Sequence, residues 1–216
     1  MLFQKVKEEI LSPISGLIKV VTVFNRPRLM VGNMVQSGGM VKAIWDKALA
    51  KLDREGQKVN KALVLGLGCG DCVFSINRHY PYARVTGVEL DPEVINMAEC
   101  YFNLATAKNL KVAISEGADY VAKKTSAKGG AAADQKFDLI IVDVYLGQVM
   151  PKKFKEKKFL ANLAKLVAKN GVVVINHLFF GGHKKEAERF IKDLEKIWPQ
   201  ITLQRTASNL VIFARK

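Results

Sequence analysis

From residue 61 onward, short apolar runs alternate with stretches of helical spacing, and that alternation predicts the fold. Runs of strand length fall at 62–67, 84–89, 110–114, 138–143 and 172–176. Between them, residues 71–79 predict a helix. A second helix starts at Asp91-Pro92-Glu93, with Asp91 as N-cap and Pro92 in the first helical position. Its apolar face is Val94, Ile95, Ala98, Tyr101, Phe102 and Ala105. A helix over 155–168 turns Phe159, Leu160, Leu163, Leu166 and Val167 inward and stops at Asn170-Gly171. Another over 183–197 buries Ala187, Phe190, Ile191 and Leu194, and runs at 201–204 and 210–214 predict a closing hairpin. The order predicts an α/β fold: a mostly parallel seven-stranded sheet with helices on both faces and a C-terminal antiparallel strand.

The first fifty residues follow a different pattern. Residues 1–12 mix charges into a short amphipathic period that predicts a helix, broken at Ser12-Pro13. Leu17–Phe24 is rich in β-branched residues, Asn25-Arg26-Pro27 reads as a turn, and Arg28–Val31 follows as a second short run. A small N-terminal β-hairpin is therefore expected before Gln36-Ser37-Gly38-Gly39, and then a linking helix over 40–52. This divides the chain into residues 1–52 and a main domain over 53–216. Residues 122–136 have loop composition.

The chemistry concentrates where the predicted strands end. The strand at 62–67 runs into Gly68-Cys69-Gly70 and a helix, the arrangement with which α/β folds hold nucleotide-like ligands. About twenty residues later the next strand ends at Glu89, where a ribose-binding acid is expected. Asp71, Glu89, Glu116 and Asp143 all fall at or just past successive strand ends, hence at one edge of the sheet. Any one of them could simply cap a helix. Four together predict a pocket for a cationic ligand, acidic inside a basic protein.

Composition bounds this picture. The 216 residues carry 34 Lys+Arg against 20 Asp+Glu, a formal net charge of +14. The simplest reading is a lysine-rich solvated surface, and a nucleic-acid partner stays open because such a charge attracts polyanions. Three cysteines in a chain with no signal-peptide pattern suit a reduced, cytoplasmic setting, and no membrane span is expected. Cys69-Gly70-Asp71-Cys72 is formally C-x-x-C, but without a second ligand pair no metal is expected. His177, just past a strand end, is a candidate base or substrate contact, and Tyr145 a candidate stacking residue.

Gly68-Cys-Gly-Asp71 resembles the G-G-G-D-G motif of spermidine synthases and related aminopropyltransferases, within the class I S-adenosylmethionine-dependent methyltransferase superfamily. Val88-Glu-Leu-Asp-Pro-Glu-Val94 is similar to their V-E-I-D-P-x-V. Glu116-Gly-Ala-Asp-Tyr-Val121 resembles D-G-x-x-F/Y-L/V, and Phe137–Asp143 resembles F-D-V-I-I-x-D. Upstream, Leu29–Ser37 resembles the L-x-L-D-G-x-x-Q-S hairpin, and Met150–Phe159 the proline-containing substrate loop. The resemblance implies a Rossmann-like fold and an S-adenosylmethionine or decarboxylated S-adenosylmethionine donor. It implies that Gly68, Gly70, Glu89, Leu90, Glu116, Gly117 and Gln36 hold the nucleoside, with Glu89 on the ribose and Glu116 on the adenine. Asp71 would face the amine or sulfonium, and Asp143 would accept the proton of an attacking small-molecule amine. A homodimer is common in such proteins.

The chain departs from the motif at the amine end. Leu146 stands where the family's D-x-x-D has its second acid, and Gly38-Gly-Met-Val-Lys-Ala-Ile-Trp-Asp46 replaces the usual Tyr/His and acids after Q-S. Only Trp45 and Asp46 remain as substitutes. Loss of one charge-assisted contact, about 1.5–3 kcal/mol, predicts weaker binding of a putrescine-like diamine. The first expectation is thus an aminopropyl (or related alkyl) transferase. Its rivals are a methyltransferase acting on RNA or an anionic small molecule, and a binding protein without catalysis.

Overall fold

The computed structural model describes residues 4–126 and 136–216. Its N-terminal part is a four-stranded antiparallel meander: β1 (Gln4–Ser12), β2 (Gly16–Val23), β3 (Arg26–Val31) and β4 (Met34–Ser37). The expected helix over 1–12 is therefore a strand across its described residues, and the expected hairpin has gained strands on both sides. The amphipathic period misled because β1 is an edge strand whose side chains are mostly exposed, so packing does not enforce a period of two. Its backbone pairs with β2 from Gln4↔Val23 to Ser12↔Gly16, with an irregularity between Val6 and Glu8. At its buried end, Ser12 donates from Oγ to Asp91 Oδ2 at 2.5 Å and accepts from the Ile14 and Ser15 N–H groups. This ties the meander to the main domain.

Helix α1 (Met40–Arg54) leads into a seven-stranded sheet. Its strands are β5 (Lys61–Leu65), β6 (Arg84–Glu89), β7 (Leu110–Ile114), β8 (Phe137–Val142), β9 (Val167–Leu178), β10 (Gln200–Arg205) and β11 (Asn209–Arg215). They lie in the order β10-β11-β9-β8-β5-β6-β7, with β11 antiparallel to both its neighbours and the other pairs parallel. The strand order reverses between β5 and β8, and a ligand crevice belongs at the carboxyl ends there. The connecting helices are α2 (Asp71–His79), α3 (Pro92–Phe102), α4 (Gly117–Ser126), α5 (Lys157–Leu166) and α6 (His183–Glu195).

Alternation along the central strands sends side chains to two apolar layers, as a sheet covered on both faces requires. Ala62, Val64, Leu139, Ile141, Val172 and Val174 pack with α1–α3 on one side. Leu63, Leu65, Ile140, Val142, Val173 and Ile175 pack with α5 and α6 on the other. Ile18, Val20 and Leu29 of the meander belong to the first layer, so the two sheets share a core. The α3 cap forms as its sequence predicts, with Asp91 Oδ1 accepting from Glu93 N.

Several boundaries differ from expectation, two of them by more than a residue or two for a visible reason. The helix placed over 155–168 ends at Leu166, because Val167 already pairs with Phe137 as β9 begins. A bulge then carries the register to Leu139↔Val172. Of the stretch read as loop, residues 122–126 complete α4, while 127–135 lie outside the described residues. Among the described residues no helix is long and apolar enough to cross a membrane, and all three cysteines are free.

Gly66 closes β5 at φ +81°, and a Cβ there would run into the Asp143 carbonyl carbon and oxygen. Gly66→Ala is expected to cost about 2 kcal/mol or more from the left-handed backbone and the collision, about 4–8 °C in Tm. Gly147→Ala, also at positive φ but with nothing within 4 Å of its Cβ, isolates the conformational part and should cost less. Thermal denaturation of both variants checks the difference.

Candidate active site

A cavity of about 880 Å³ lies at the carboxyl ends of β5, β6 and β8, with β3, β4 and α1 forming its other wall. Its floor is the glycine turn after β5. The Gly66 and Leu67 N–H groups donate to Val88 O, which holds the turn against the end of β6. Gly68, at φ +54°, leaves a Cβ only 3.0 Å from Ser37 Oγ, so the turn can approach β4 closely. Ser37 Oγ in turn accepts from Cys69 N at 3.0 Å.

Each predicted acid has a distinct setting. Glu89 accepts from three backbone N–H groups: Gly68 at Oε2 (2.9 Å), and Leu90 (2.8 Å) and Asp91 (3.2 Å) at Oε1. A carboxylate offers about four lone-pair directions, so Oε2 retains one for a ligand. Burial raises the Glu89 pKa, and those N–H bonds pull it back only in part. Asp71 opens α2 and accepts from Gly38 N at 2.6 Å; burial raises its pKa as well. Glu116 stands at the start of α4, accepting from Asp119 N at 2.9 Å, and pairs with Lys153 at 3.3 Å.

Asp143 is the most deeply enclosed. Its Oδ2 accepts from Trp45 Nε1 at 3.0 Å and its Oδ1 from Asn176 Nδ2 at 2.8 Å. Burial pushes its pKa up to about 6. The two hydrogen bonds oppose that shift, while the Asp71 and Glu89 charges add to it. No cation bonds to it among the described residues. A carboxyl group titrating near neutrality inside a cleft is suited to accept a proton.

The other expected residues sort by position. Gln36, Gly68, Leu90, Gly117, Trp45 and Tyr145 all line the cavity. Gln36 Nε2 donates to Gly147 O at 3.2 Å, which joins β4 to the loop after β8. Tyr145 commits its hydroxyl to β9, donating to Asn176 O and accepting from Leu178 N, so its ring is what it can offer a ligand. Gly70 sits one step behind the lining as the N-cap of α2. His177 does not reach the cavity. Strand alternation places Asn176 and Leu178 on the cavity side and turns His177 to the opposite face, beside Phe190, with Nδ1 against Leu178 O. Burial lowers its pKa. Cys69 and Cys72 are buried with thiols pushed up by desolvation, which suits packing rather than reactivity.

Sequence reasoning missed Ser37, Asn176, Lys153 and Arg28. The parity of β9 could have found Asn176, since a strand that buries Val174 on one face presents residue 176 on the same side. Lys153 belongs to the run Lys152–Lys158, which by its composition is most simply a solvated helix face although it flanks the site, and nothing local marked Arg28.

Residues 45–212 match the family described as the spermine/spermidine synthase domain. A polyamine aminopropyltransferase of Vibrio vulnificus (strain CMCP6) is 31% identical over 119 residues, 55% of this chain and 38% of that protein. The human eEF1A lysine and N-terminal methyltransferase is 32% identical over 120 residues, 53% of this chain and 17% of that protein. The matches thus span well under half of either relative. Among solved structures, spermidine synthase from Thermotoga maritima superposes with a TM-score of 0.77 at 16% identity, covering 97% of this chain and 72% of that one. That likeness shows the Rossmann-like fold with its N-terminal antiparallel sheet. With the family match running through α1, the glycine turn, Glu89 and Asp143, the chain belongs to the spermine/spermidine synthase domain family.

Proposed function

We propose that this protein transfers an alkyl group, in the first instance aminopropyl, from a sulfonium nucleoside to an amine, with Asp143 as the proton acceptor. The observation that carries the reading is the buried Asp143 carboxylate, held by two neutral donors beside Asp71 and Glu89 in one cavity. The residues present suit such a donor. Glu89 keeps an acceptor direction for a ribose hydroxyl, Glu116 can accept from an adenine amino group, and the acids favour a positive sulfur. At Gly117 a Cβ would come within 3.2 Å of the Phe154 ring, so glycine lets that ring pack close against the start of α4 on the cavity wall.

The sulfonium donor supplies an electrophilic carbon and leaves as a neutral thioether. What remains for the protein is to align the amine, strip its water and remove its proton. Asp71 and Asp143 both line the space where an amine nitrogen would stand. As the nitrogen bonds to carbon and the carbon–sulfur pair returns to sulfur, the nitrogen becomes positive and releases a proton to Asp143. Trp45 and Asn176 fix the carboxylate while that happens. They also keep it from being protonated at neutral pH, since each donates to its charged form.

A methyltransferase is the second reading. It is favoured by Leu146, half exposed on the cavity wall where a second acid would hold a diamine, and by the methyltransferase relatives. Incubation with decarboxylated and intact S-adenosylmethionine plus mixed polyamines separates the two. Methylthioadenosine is the expected product, and S-adenosylhomocysteine would replace the first reading by the second.

Asp143→Asn is expected to lower turnover by about 10²–10⁴-fold, the usual span for a lost general base, with nucleoside affinity nearly unchanged. A large affinity loss by titration calorimetry would remove Asp143 from that role. Because the base must be ionised, wild-type turnover should fall as pH drops through about 6, the pKa of Asp143, and level off above it. Trp45→Phe deletes a donor to the charged form, so this limb should move to higher pH while the high-pH plateau changes little. An unmoved limb in the pH–rate profile would show that another group controls it.

A further inference from the structure

The cavity contains a cation that the proposed chemistry does not use. Two basic residues line it, Arg28 and Lys153, and Lys153 is already paired with Glu116. Arg28, on β3, makes no ion pair or side-chain hydrogen bond among the described residues, and its Nε is buried without a partner. A guanidinium has five N–H donors in a fixed fork, matched to a carboxylate. Burying even one of those donors, Nε, without a partner is costly unless a ligand occupies the site.

Its position gives the proposal its shape. The guanidinium lies along the Gly38–Gly39 turn: a Cβ on Gly39 would be 3.3 Å from Nε and 3.6 Å from Cζ. The same turn donates Gly38 N to Asp71 Oδ2 at 2.6 Å. One short turn thus has a carboxylate bonded to it and a free guanidinium against it, both lining the cavity. After the turn, Val41 and Lys42 bring no acid; Lys42 instead pairs with Asp46 at 2.9 Å. This is a poor setting for a dication and a good one for an ammonium and a carboxylate carried by one molecule.

Resting on the sulfonium-nucleoside reading of the cavity, we infer that Arg28 and Asp71 recognise an aminocarboxylate, with Arg28 taking the carboxylate and Asp71 the ammonium. That group has two sources, the amino-acid end of an intact S-adenosylmethionine donor or an acceptor that is itself an amino acid. In both cases Arg28 sets specificity without touching the transferred carbon.

The test compares wild type, Arg28→Gln and Arg28→Lys, each first shown to be folded by thermal denaturation. Calorimetry with intact and decarboxylated S-adenosylmethionine reads the donor arm. KM with putrescine and with 4-aminobutyrate as acceptors reads the other. If the donor carries the carboxylate, Arg28→Gln weakens the intact form about tenfold or more and leaves the decarboxylated form nearly unchanged. If the acceptor carries it, both donors bind as before and KM for 4-aminobutyrate rises about tenfold while that for putrescine does not. Arg28→Lys, which keeps the charge but loses the fork, should fall between wild type and Arg28→Gln in whichever arm responds. Equal behaviour of wild type and Arg28→Gln in both arms overturns the inference. Should wild type bind neither nucleoside, the reading of the cavity fails first and this inference falls with it.

Discussion

A buried carboxylate held by neutral donors governs how this molecule is put together. Asp143 directly follows β8 at the point where strand order reverses, and its two oxygens are bonded by Trp45 from α1 and Asn176 from β9. Withdrawing an ionised group from water is expensive, and no cation offsets it here. The two donors must therefore be in place, which means α1 must be docked on the sheet. Helix α1 is positioned by β4, whose Ser37 accepts from the glycine turn and whose Gln36 reaches Gly147. The N-terminal meander is in this sense part of the site's electrostatics, as well as its wall.

The charge distribution follows the same logic at longer range. A net +14 chain places four acids around one crevice and its excess lysines mostly outside. Surface lysines are screened over about 8–10 Å of physiological salt, whereas acids within a partly closed cleft are screened far less. A cationic ligand is thus disfavoured on approach and favoured once inside. An acceptor with a negative end avoids the first penalty, and the Arg28 guanidinium gives that end somewhere to go.

The middle of the sheet was legible because β5 and β8 are buried on both faces and read as nearly unbroken apolar runs. The expected runs place β6 and β7 at their observed bounds and β5 and β8 within two residues of theirs, and the Asp91-Pro92 start of α3 was specified by its own capping chemistry. What the sequence hid was decided by tertiary pairing. β1 looks helical until β2 is supplied to satisfy its backbone, and β9 starts at Val167 only because Phe137 lies opposite. Within the site, Glu89, Asp71 and Asp143 could be picked out as strand-end acids. His177 was misplaced by a single step of strand parity, the same step that brings Asn176 in.

These observations bear on how one scaffold serves different acceptors. At the end proposed to hold the nucleoside, Glu89 is oriented by three backbone N–H groups, so its geometry depends on the turn rather than on particular neighbours. On the proposed reading, selectivity at the amine end would rest on side chains from β3, the start of α1 and the loop after β8, where Arg28, Val41, Trp45 and Leu146 line the cavity. Side chains can change one at a time without disturbing the sheet, whereas the glycine turn cannot, since Gly66 already abuts the Asp143 carbonyl. On the proposed reading, a chain of this family could change its amine end and keep the nucleoside end, because the two ends are built from different kinds of bond.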